Sequence, residues 1–513
     1  MTAMLILTTV SSWMTFRGGN ARTGCVPGRA NFYTSSPAVL SAWVTEAGSI
    51  EAGPLLYDLN GDGREDIYVG GDDDMAPSVV VYRGYDASVL LETSADGYVA
   101  WCTPALLDIN SDGDPEIFEG FTEGGFICYN GTNGSQIWSA STGTICYSSP
   151  LAFTDPSGNP RVAVANDAGT LYYLNATNGA GIWAYPGTDT AWSAPALGDP
   201  NNDGNPEIVY TTQGHIYVLS LSGTLLWDLA YGSGGLSSAA LADMNGVPGE
   251  ELVVYDGRGG QLAVFQYGNS TPLWTYPVGA LHPYLNYLPA PSPAVGDVNA
   301  NGTPDVVIHN GATAFCLENG SALWSLNVTS PDLFEASPTL ADLDGASVQD
   351  GGQLEVVIPG EDTIEAIGVI YYIQSNGTRA WRWSNISYTE FPFWNEAALA
   401  DPDGDGWLEI TAVDMSCYAV ILDGTDPFSV DEGESNRGFQ IISRGREIRL
   451  FMPERAMVSL CLYDGSGRLA ENLYEGNLGQ GSHLFASRLS VEGVYLAVLR
   501  YPGGTMSAKV VVK

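Results

Sequence analysis

A short acidic pattern recurs along this chain and constrains its fold more than any other feature. The stretch DLNGDGREDIYVG at 58–70 places Asp or Asn at alternating positions and then runs into an apolar segment. Eight such copies begin at Asp58, Asp108, Asp155, Asp199, Asp243, Asp297, Asp342 and Asp401, at spacings of 44 to 59 residues. A repeat of this length is a supersecondary unit that buries its apolar faces only against its neighbours, so one architecture must run through most of the chain.

Each copy is predicted to contain four short strands. In the fourth copy, the runs SAPALGD, PEIVYTTQG, HIYVLSLSG and TLLWDLAYG follow one another over 193–232. A four-stranded unit of about 45 residues is typical of one blade of a β-propeller. The fourth, outer strand carries a recurring tryptophan, found at Trp138, Trp183, Trp227, Trp274, Trp324 and Trp381.

The eighth copy lacks an outer strand of this kind, and the N-terminal region contains one. The run LSAWVTEAG at 40–48 includes Trp43, but no inner strands precede it. We expect it to complete the last blade, because closing the ring in this way leaves no sheet edge exposed. The fold class is therefore all-β, with an eight-bladed β-propeller over 13–430; seven blades with a decorated edge are the alternative.

Two family resemblances rest on these motifs. The D-x-[DN]-x-[DN]-G loops between inner strands resemble the FG-GAP repeats of integrin-α-type propellers and related bacterial surface proteins of the VCBS type. The outer G-x-x-x-W strands, together with FRGGNARTG at 16–24, look like pyrroloquinoline-quinone-type propeller repeats. Both resemblances imply a fold and leave the function open.

The acidic loops have the donor spacing that Ca²⁺ prefers. Side chains one, three and five, the carbonyl of residue seven and a carboxylate at nine supply the oxygen ligands. The predicted ligands are Asp58, Asn60, Asp62, Arg64 and Asp66; Asp108, Asn110, Asp112, Asp114 and Glu116; Asp199, Asn201, Asp203, Asn205 and Glu207; Asp297, Asn299, Asn301, Thr303 and Asp305; and Asp401, Asp403, Asp405, Trp407 and Glu409. No helix follows these loops, so we expect several structural calcium ions rather than a sensor or a catalytic metal.

The remaining copies depart from this pattern. Arg161 stands at a ligand position of the copy at Asp155, where we expect no ion, and Val247 interrupts the copy at Asp243. In the seventh copy, Asp342, Asp344 and Glu355 surround an insertion, and its capacity to bind an ion stays open.

One residue per blade stands three positions before the Pro or Ala of the inner strand. These residues are Glu51, Trp101, Tyr147, Trp192, Leu236, Ala290, Glu335 and Trp394. We expect them to surround one mouth of the central channel, on the face opposite the acidic loops. Four aromatic rings and two carboxylates there would suit a sugar or a peptide. The alternative is that the aromatics only plug the channel.

Catalytic signals are sparse. We find no nucleophile elbow, P-loop or zinc motif, and the four histidines are scattered in sequence. His282, close to Tyr284, is expected near the mouth. An acid or base drawn from His282, Tyr284 and Glu335 keeps an extracellular polysaccharide lyase or hydrolase open as an alternative function. A structural surface-layer component is a further alternative.

The pattern changes after a polar linker at 431–438. The segment 439–513 alternates over short strands and predicts a small β-sandwich. It resembles the C-terminal sorting (Por) domain of type IX secretion in VSLCLYDGSGRL (458–469), EGVYLAVL (492–499) and KVVVK (509–513). The resemblance implies recognition by the secretion machinery and export across an outer membrane.

Composition narrows the function further. The chain has 59 acidic and 19 basic residues and a formal net charge of −40, which disfavours nucleic acid and suits a secreted protein that binds cations. No apolar run reaches the roughly 18 residues of a membrane span, and residues 1–12 are interpreted as a possible truncated signal segment. The seven cysteines include no vicinal pair, which argues against a quinoprotein dehydrogenase. We predict a secreted or cell-surface monomer that binds an extracellular glycan or protein.

Overall fold

The computed structural model describes most of the chain. The described residues are 14, 16–30, 32, 37–45, 52–71, 79–84, 87–93, 101–122, 124–145, 147–285, 289–344, 352–384, 392–403, 407–415, 418–423, 440–444, 447–452, 456–463, 468–478, 481–489, 491, 493–501 and 504–512. The chain divides into two compact units, Met1–Gly424 and Thr425–Lys513. The predicted signal segment and linker lie outside the described residues.

The described strands of the first unit form eight sheets. Two N-terminal strands come first in the chain, β1 (Cys25–Arg29) and β2 (Ala38–Val44). Sheet I contains β3–β6 (Leu55–Tyr57, Asp66–Gly70, Val79–Tyr82, Val89–Glu92), sheet II β7–β10 (Ala105–Leu107, Glu116–Gly120, Gly125–Tyr129, Gln136–Ser141), sheet III β11–β14 (Leu151–Thr154, Pro160–Ala165, Thr170–Asn175, Gly181–Pro186) and sheet IV β15–β18 (Ala196–Gly198, Glu207–Thr211, His215–Ser220, Leu225–Ala230). Sheet V contains β19–β22 (Ala240–Ala242, Glu251–Asp256, Gln261–Phe265, Trp274–Pro277) and sheet VI β23–β26 (Ala294–Gly296, Asp305–His309, Thr313–Glu318, Ser321–Asn327). Sheet VII contains β27–β31 (Asp332–Phe334, Thr339–Asp342, Glu355–Asp362, Ile367–Ile373, Arg379–Trp383) together with β1, and sheet VIII contains β32–β34 (Ala398–Ala400, Glu409–Val413, Tyr418–Asp423) together with β2.

The all-β fold class is confirmed, and the sheets meet around a ring. Strand β2 pairs antiparallel with β34 as the fourth strand of sheet VIII, with Trp43 opposite Ala419. The last and first sheets are joined where the Asp401 amide donates to the Glu65 carboxylate at 2.6 Å. The N-terminal strand therefore belongs to the same sheet as the last repeat.

Sheet VII is larger than the sequence pattern predicts. Strand β1 pairs parallel with β28, and β27 pairs antiparallel with the far half of β29. Strand β29 is eight residues long, so it has room for both β27 and β28 along one edge. The parallel pairing of β1 depends on where the N-terminal segment lies, which no local pattern encodes.

The segment 16–24, named here the central segment, passes along the inner strands of the ring. Its carbonyls and that of Met14 accept hydrogen bonds from inner-strand amides. These bonds are Leu106 N to Met14 O, Leu197 N to Asn20 O, Leu241 N to Ala21 O, Val295 N to Thr23 O and Leu340 N to Gly24 O, all between 2.8 and 3.0 Å. The inner strands thus have partners for amides that would otherwise face the channel.

The outer-strand tryptophans dock onto the following sheet. The indole N–H of Trp138 donates to Ala176 O at 2.7 Å, that of Trp183 to Leu221 O at 3.0 Å and that of Trp324 to Ser375 O at 2.8 Å. Each of these acceptors lies in the turn before the outer strand of the next sheet. The repeated tryptophan therefore joins one repeat to the next.

The second unit contains two sheets in its described residues. Strands β35 (Gln440–Arg444), β36 (Glu447–Met452) and β39 (Gly481–Ala486) form one, and β37 (Ala456–Tyr463), β38 (Leu469–Leu478), β40 (Gly493–Tyr501) and β41 (Gly504–Val512) form the other. Ile448 and Leu460, from different sheets, share one apolar core, as in a β-sandwich.

Among the described residues, no helix is long and apolar enough to cross a membrane.

Candidate functional site

A cavity of about 80 Å³, partly open to solvent, lies where the inner strands begin. Its lining includes the mouth residues of sheets II to VIII, namely Trp101, Tyr147, Trp192, Leu236, Ala290, Glu335 and Trp394. Each stands just before an inner strand, whereas each acidic loop follows one; Trp192 and Asp199 flank β15 in this way. Cavity and loops are therefore at opposite ends of the inner strands. Glu51, the predicted mouth residue of sheet I, lies outside the described residues.

Three aromatic rings form a continuous wall of the cavity. The centroids of Trp101 and Tyr147 are 5.2 Å apart with their planes at 63°, and those of Tyr147 and Trp192 are 5.3 Å apart at 58°. Such steep angles give a curved wall rather than one flat stacking surface. All three side chains are partly exposed, so the wall is accessible from the cavity.

The floor of the cavity is formed by the central segment and sheet VIII. Phe16 and Glu396 line it, and the guanidinium of Arg22 lies 5.6 Å from the Phe16 ring centroid. Beneath the floor, Arg22 donates to Pro150 O and Pro195 O, while Arg17 donates to Pro293 O and Pro338 O, at 2.5 to 3.0 Å. Two arginines thereby hold the inner strands of four sheets.

Burial affects the ionisation of this arginine pair. It lowers the pKa of Arg17 to about 10 and that of Arg22 to about 9, while Glu396 opposes the shift. Burial also raises the pKa of Glu396, against the attraction of both arginines. Both guanidinium groups remain cationic at neutral pH, and their charge is directed to carbonyls and to Glu396.

A carboxyl pair lies at the side of the cavity. Glu335 is 6% exposed, and no backbone amide, hydroxyl or cationic group among the described residues donates to its carboxyl oxygens. Its polar neighbour is Glu361, which also hydrogen-bonds Tyr284. Burial, and then the charge of Glu361, raise the pKa of Glu335 well above the ordinary carboxyl range, so the pair holds a proton at neutral pH.

A ring of hydroxyls behind the mouth was missed by the sequence analysis. The Gly53 amide donates to Thr103 Oγ1, Thr103 N to Ser149 Oγ, Ala194 N to Ser238 Oγ and Ser292 N to Ser337 Oγ, at 2.8 to 3.1 Å. Each bond joins one sheet to the next. The signal was available, because a Ser or Thr precedes the Pro or Ala of five inner strands.

The structure does not bring every candidate residue to this cavity. His282 lines a separate cleft with Tyr284, Pro331 and Asp332. Its ring Nδ1 is 3.4 Å from the Tyr284 amide. Tyr284 lines that cleft and also hydrogen-bonds Glu361 of the carboxyl pair. The segment 289–292, which follows His282 in the chain, lines the main cavity through Pro289, Ala290, Pro291 and Ser292.

The acidic loops share one hydrogen-bond scheme. In sheet I, Asp58 accepts from the amides of Asp62 and Gly63 at 3.0 and 2.8 Å, and the Arg64 amide donates to Asp62. The same pattern recurs in the loop at Asp199. The amides of Asp114 and Thr303 likewise donate to the fifth side chain of their loops. These bonds hold the side chains of positions one and five in the loop and leave each oxygen a second lone pair.

The carboxylate at position nine is buried in every loop where it is described. Asp66 and Glu116 accept from the amide of position two and from the Asn at position three. Glu207 Oε2 and Asp305 Oδ1, by contrast, are buried and have no hydrogen-bond partner among the described residues. Burial, and then nearby carboxylates, raise the pKa values of Glu207 and Asp305 to about 7.

Two loops bring three carboxyl groups together. Asp401, Asp403 and Glu409 each place an oxygen within 4.8 Å of the others, and so do Asp342, Asp344 and Glu355 in the seventh copy. The first group belongs to the predicted ligands, of which Asp405 lies outside the described residues. In the third copy, the Arg161 guanidinium is 3.0 Å from Asp155, so this loop is neutralised internally.

The fold and these sites define a β-propeller repeat protein. A family model described as outer membrane protein assembly factor BamB, of the pyrroloquinoline-quinone repeat type, matches residues 123–392. A second model, described as an FG-GAP-like repeat, matches residues 58–119. Since the first match covers more than half of the chain, this protein belongs to that repeat family, and the propeller part of the expected resemblance is confirmed.

Solved structures agree on the fold. Quinohemoprotein alcohol dehydrogenase from Comamonas testosteroni is similar at 12% identity over 84% of this chain and 83% of that chain, with a TM-score of 0.55. Sqt1 from Saccharomyces cerevisiae is 12% identical over 76% and 99%, with a TM-score of 0.55, and the C-terminal WD40 domain of Sif2 is 12% identical over 77% and 99%, with a TM-score of 0.50. At such identity the likeness concerns the fold alone. No curated protein matches the chain.

Proposed function

We propose that this protein is a secreted or cell-surface recognition module, a calcium-stabilised propeller that binds an extracellular glycan or protein in the aromatic cavity. One observation carries the proposal. Seven sheets each place their mouth residue in the wall of a single cavity with three adjoining aromatic rings. Concave, largely apolar sites with a few polar groups are the usual place for a ligand.

The central segment argues against the alternative in which the aromatics only plug the channel. Phe16, Arg17 and Arg22 already occupy the space below the cavity, and both arginines are completely buried. The four aromatic mouth residues, in contrast, remain partly exposed. A plug exists and is made of other residues, which supports a binding role for the mouth.

Binding would be tested with the full chain on a glycan array and against extracellular proteins. We expect Trp101→Ala and Trp394→Ala to reduce binding about tenfold, since an aromatic contact contributes about 0.5 to 1.5 kcal/mol beyond the apolar area that it buries. Tyr463→Ala in the second unit is the control and should bind as the parent does. If both tryptophan variants bind as the parent does, or if the parent binds nothing, the hypothesis of a structural surface-layer component would be favoured.

Calcium is the proposed cofactor of the acidic loops. The all-oxygen donor sets and the unpartnered oxygens of Glu207 and Asp305 fit a hard divalent cation. The loop residues would hold the ion, which would join the two ends of each inner hairpin and neutralise acidic charge. At millimolar calcium and extracellular-type affinities, each site would contribute about 0.4 to 1.4 kcal/mol.

Two matched variants test the calcium sites. Asp199→Asn should lower the calcium bound per chain by one and reduce the melting temperature in calcium but not in chelator. Asp155→Asn changes the same loop position in the internally neutralised copy and should leave the calcium content unchanged. If metal analysis finds no calcium on the parent protein, the cofactor proposal is wrong.

The second unit is the proposed export signal. Its two sheets and shared core are consistent with the sandwich that the resemblance to type IX sorting domains implies. In a bacterium with that secretion system, deletion of 439–513 should retain the protein inside the cell. Export without this segment would contradict the assignment.

An extracellular polysaccharide lyase or hydrolase is the second candidate, favoured by the protonated carboxyl pair Glu335 and Glu361. Such a pair supplies a general acid at neutral pH. His282 lines a different cleft, so the acid would work without it. Turnover of a polysaccharide that is lost in Glu335→Gln but kept in His282→Ala would favour this candidate.

A further inference from the structure

We propose that the ligand group bound in the cavity is an organic ammonium cation, held between the curved aromatic wall and the Glu335–Glu361 pair. This inference rests on the proposed function, because it names the chemistry of the ligand for the same cavity. It is carried by the geometry of the wall, by the buried carboxyl pair of which Glu335 lines the cavity, and by the charges that line the site.

The buried carboxyl group lacks a partner once it loses the proton that it shares with Glu361, and a ligand can provide that partner. Glu335 lines the cavity and is more than nine-tenths buried, and its hydrogen bond with Glu361 lasts only while the pair holds a proton. A buried polar group without a hydrogen bond costs free energy that a matching ligand recovers. An ammonium N–H, or the charge of a quaternary ammonium, is the complementary group for a carboxylate.

The shape of the aromatic wall fits the same ligand. Trp101, Tyr147 and Trp192 are inclined at about 60° to one another, so they surround a compact group better than they stack on a flat one. Electron-rich ring faces attract cations, and an aromatic cage with a carboxylate is the usual arrangement for an alkylammonium group. Trp394 lines the same cavity and extends the wall.

The charges around the cavity disfavour an anionic ligand. No Lys or Arg lines it among the described residues, and Arg258 lines only an adjoining cleft that shares Trp192, Leu236 and Ala290. Arg17 and Arg22 are engaged beneath the floor. An acidic sugar would therefore meet carboxyl groups without a compensating cation.

Proton release would accompany binding. In the empty protein, the pair holds a proton because burial and Glu361 raise the pKa of Glu335. The groups that face the pair are Tyr284, through Glu361, and Asp362, which adds negative charge; Glu396 shares the cavity lining. A bound cation favours the ionised carboxylate, so affinity should rise with pH toward the raised pKa of the pair, as the proton becomes easier to remove.

The experiment is calorimetric titration of the full chain with choline and with its neutral isostere 3,3-dimethylbutan-1-ol. We expect choline to bind at least tenfold more tightly. Its observed binding enthalpy should vary linearly with the ionisation enthalpy of the buffer, and the slope gives the number of protons released. Glu335→Gln preserves the shape of the side chain and should abolish both the preference and the proton release. Glu92→Gln, at an exposed position of β6, should change neither.

Two further pairs of compounds identify the kind of molecule that supplies the ammonium group. Glucosamine is compared with N-acetylglucosamine, and Nα-acetyl-lysine amide with its Nε-acetylated form. Tighter binding of glucosamine would point to an amino sugar, and tighter binding of the lysine derivative to a peptide.

Other outcomes separate this inference from the proposed function. If the charged and the neutral compound of each pair bind equally tightly, and Trp192→Leu abolishes the binding of both, the ammonium proposal is wrong. The cavity would then still be a ligand site. If no ammonium probe binds at concentrations up to 100 mM, the ammonium proposal fails, and the glycan array decides separately whether the cavity binds anything else.

Discussion

His309 illustrates how single buried residues of this ring respond to their surroundings. It lies at the end of β24, donates from Nε2 to Ala336 O at 2.7 Å and accepts the Gly311 amide at Nδ1 at 3.1 Å. Complete burial lowers its pKa to about 4. Protonation would place a second N–H against the Gly311 amide, so the folded protein holds the ring neutral.

We predict that this histidine makes the first unit sensitive to acid. Because the folded pKa is below the unfolded value, its contribution is present above about pH 6.5 and is lost as the pH falls toward 4. The stability advantage of the parent over His309→Gln should shrink by about 2 to 3 kcal/mol between pH 7 and pH 4.5. Chemical unfolding followed by tryptophan fluorescence measures this, because all 13 tryptophans lie before residue 424. A difference that does not vary with pH would contradict the prediction.

At the scale of elements, a contact that recurs around the ring stabilises neighbouring sheets. In it, the tryptophan of one outer strand packs on the turn before the outer strand of the following sheet. Gly179 has φ +70°, and a Cβ there would lie 2.5 Å from the Trp138 ring. Gly223 and Gly377 are related in the same way to Trp183 and Trp324. The glycine is required twice over, for its backbone conformation and for the space that the indole occupies.

Gly179→Ala should therefore destabilise the first unit by about 2 kcal/mol, through strain at positive φ and displacement of the Trp138 indole. Gly181→Ala is a matched control two residues away, where an added Cβ meets nothing within 4 Å. That variant should stay within about 0.5 kcal/mol of the parent. Urea unfolding would compare them, and equal stability of the two variants would show that the docking contact contributes little.

At the scale of the whole molecule, the central segment decides how the ring is held. Arg22 donates to carbonyls of sheets III and IV and Arg17 to carbonyls of sheets VI and VII. Each arginine therefore cross-links sheets that are distant in sequence from it, by 128 to 321 residues. Closure of the ring depends on this segment as well as on β2.

Arg22→Met should cost at least about 3 kcal/mol, because it leaves the buried carbonyls of Pro150 and Pro195 without donors and removes a cation near Glu396. Arg379→Met is the control, since that side chain is exposed and lies 6.0 Å above the Tyr371 ring. It should change stability by less than about 1 kcal/mol. Thermal unfolding of the full chain is the measurement; equal losses in the two variants would mean that the central segment does not clamp the ring.

The sequence by itself determined the repeat, the all-β class and the propeller family, because strand periodicity and the tryptophan at the outer strand are local patterns. Mouth residues could be chosen in the same way, since the register of each inner strand fixes which residue stands at its start; Trp101, Tyr147 and Trp192 show this. Only the tertiary structure decided what Arg17, Glu335 and His309 do. Closure of the ring brings their partners, Pro338 O, Glu361 and Ala336 O, close to them. Burial by several sheets at once also changes the pKa of a side chain, and the spacing of residues along the chain does not predict that burial.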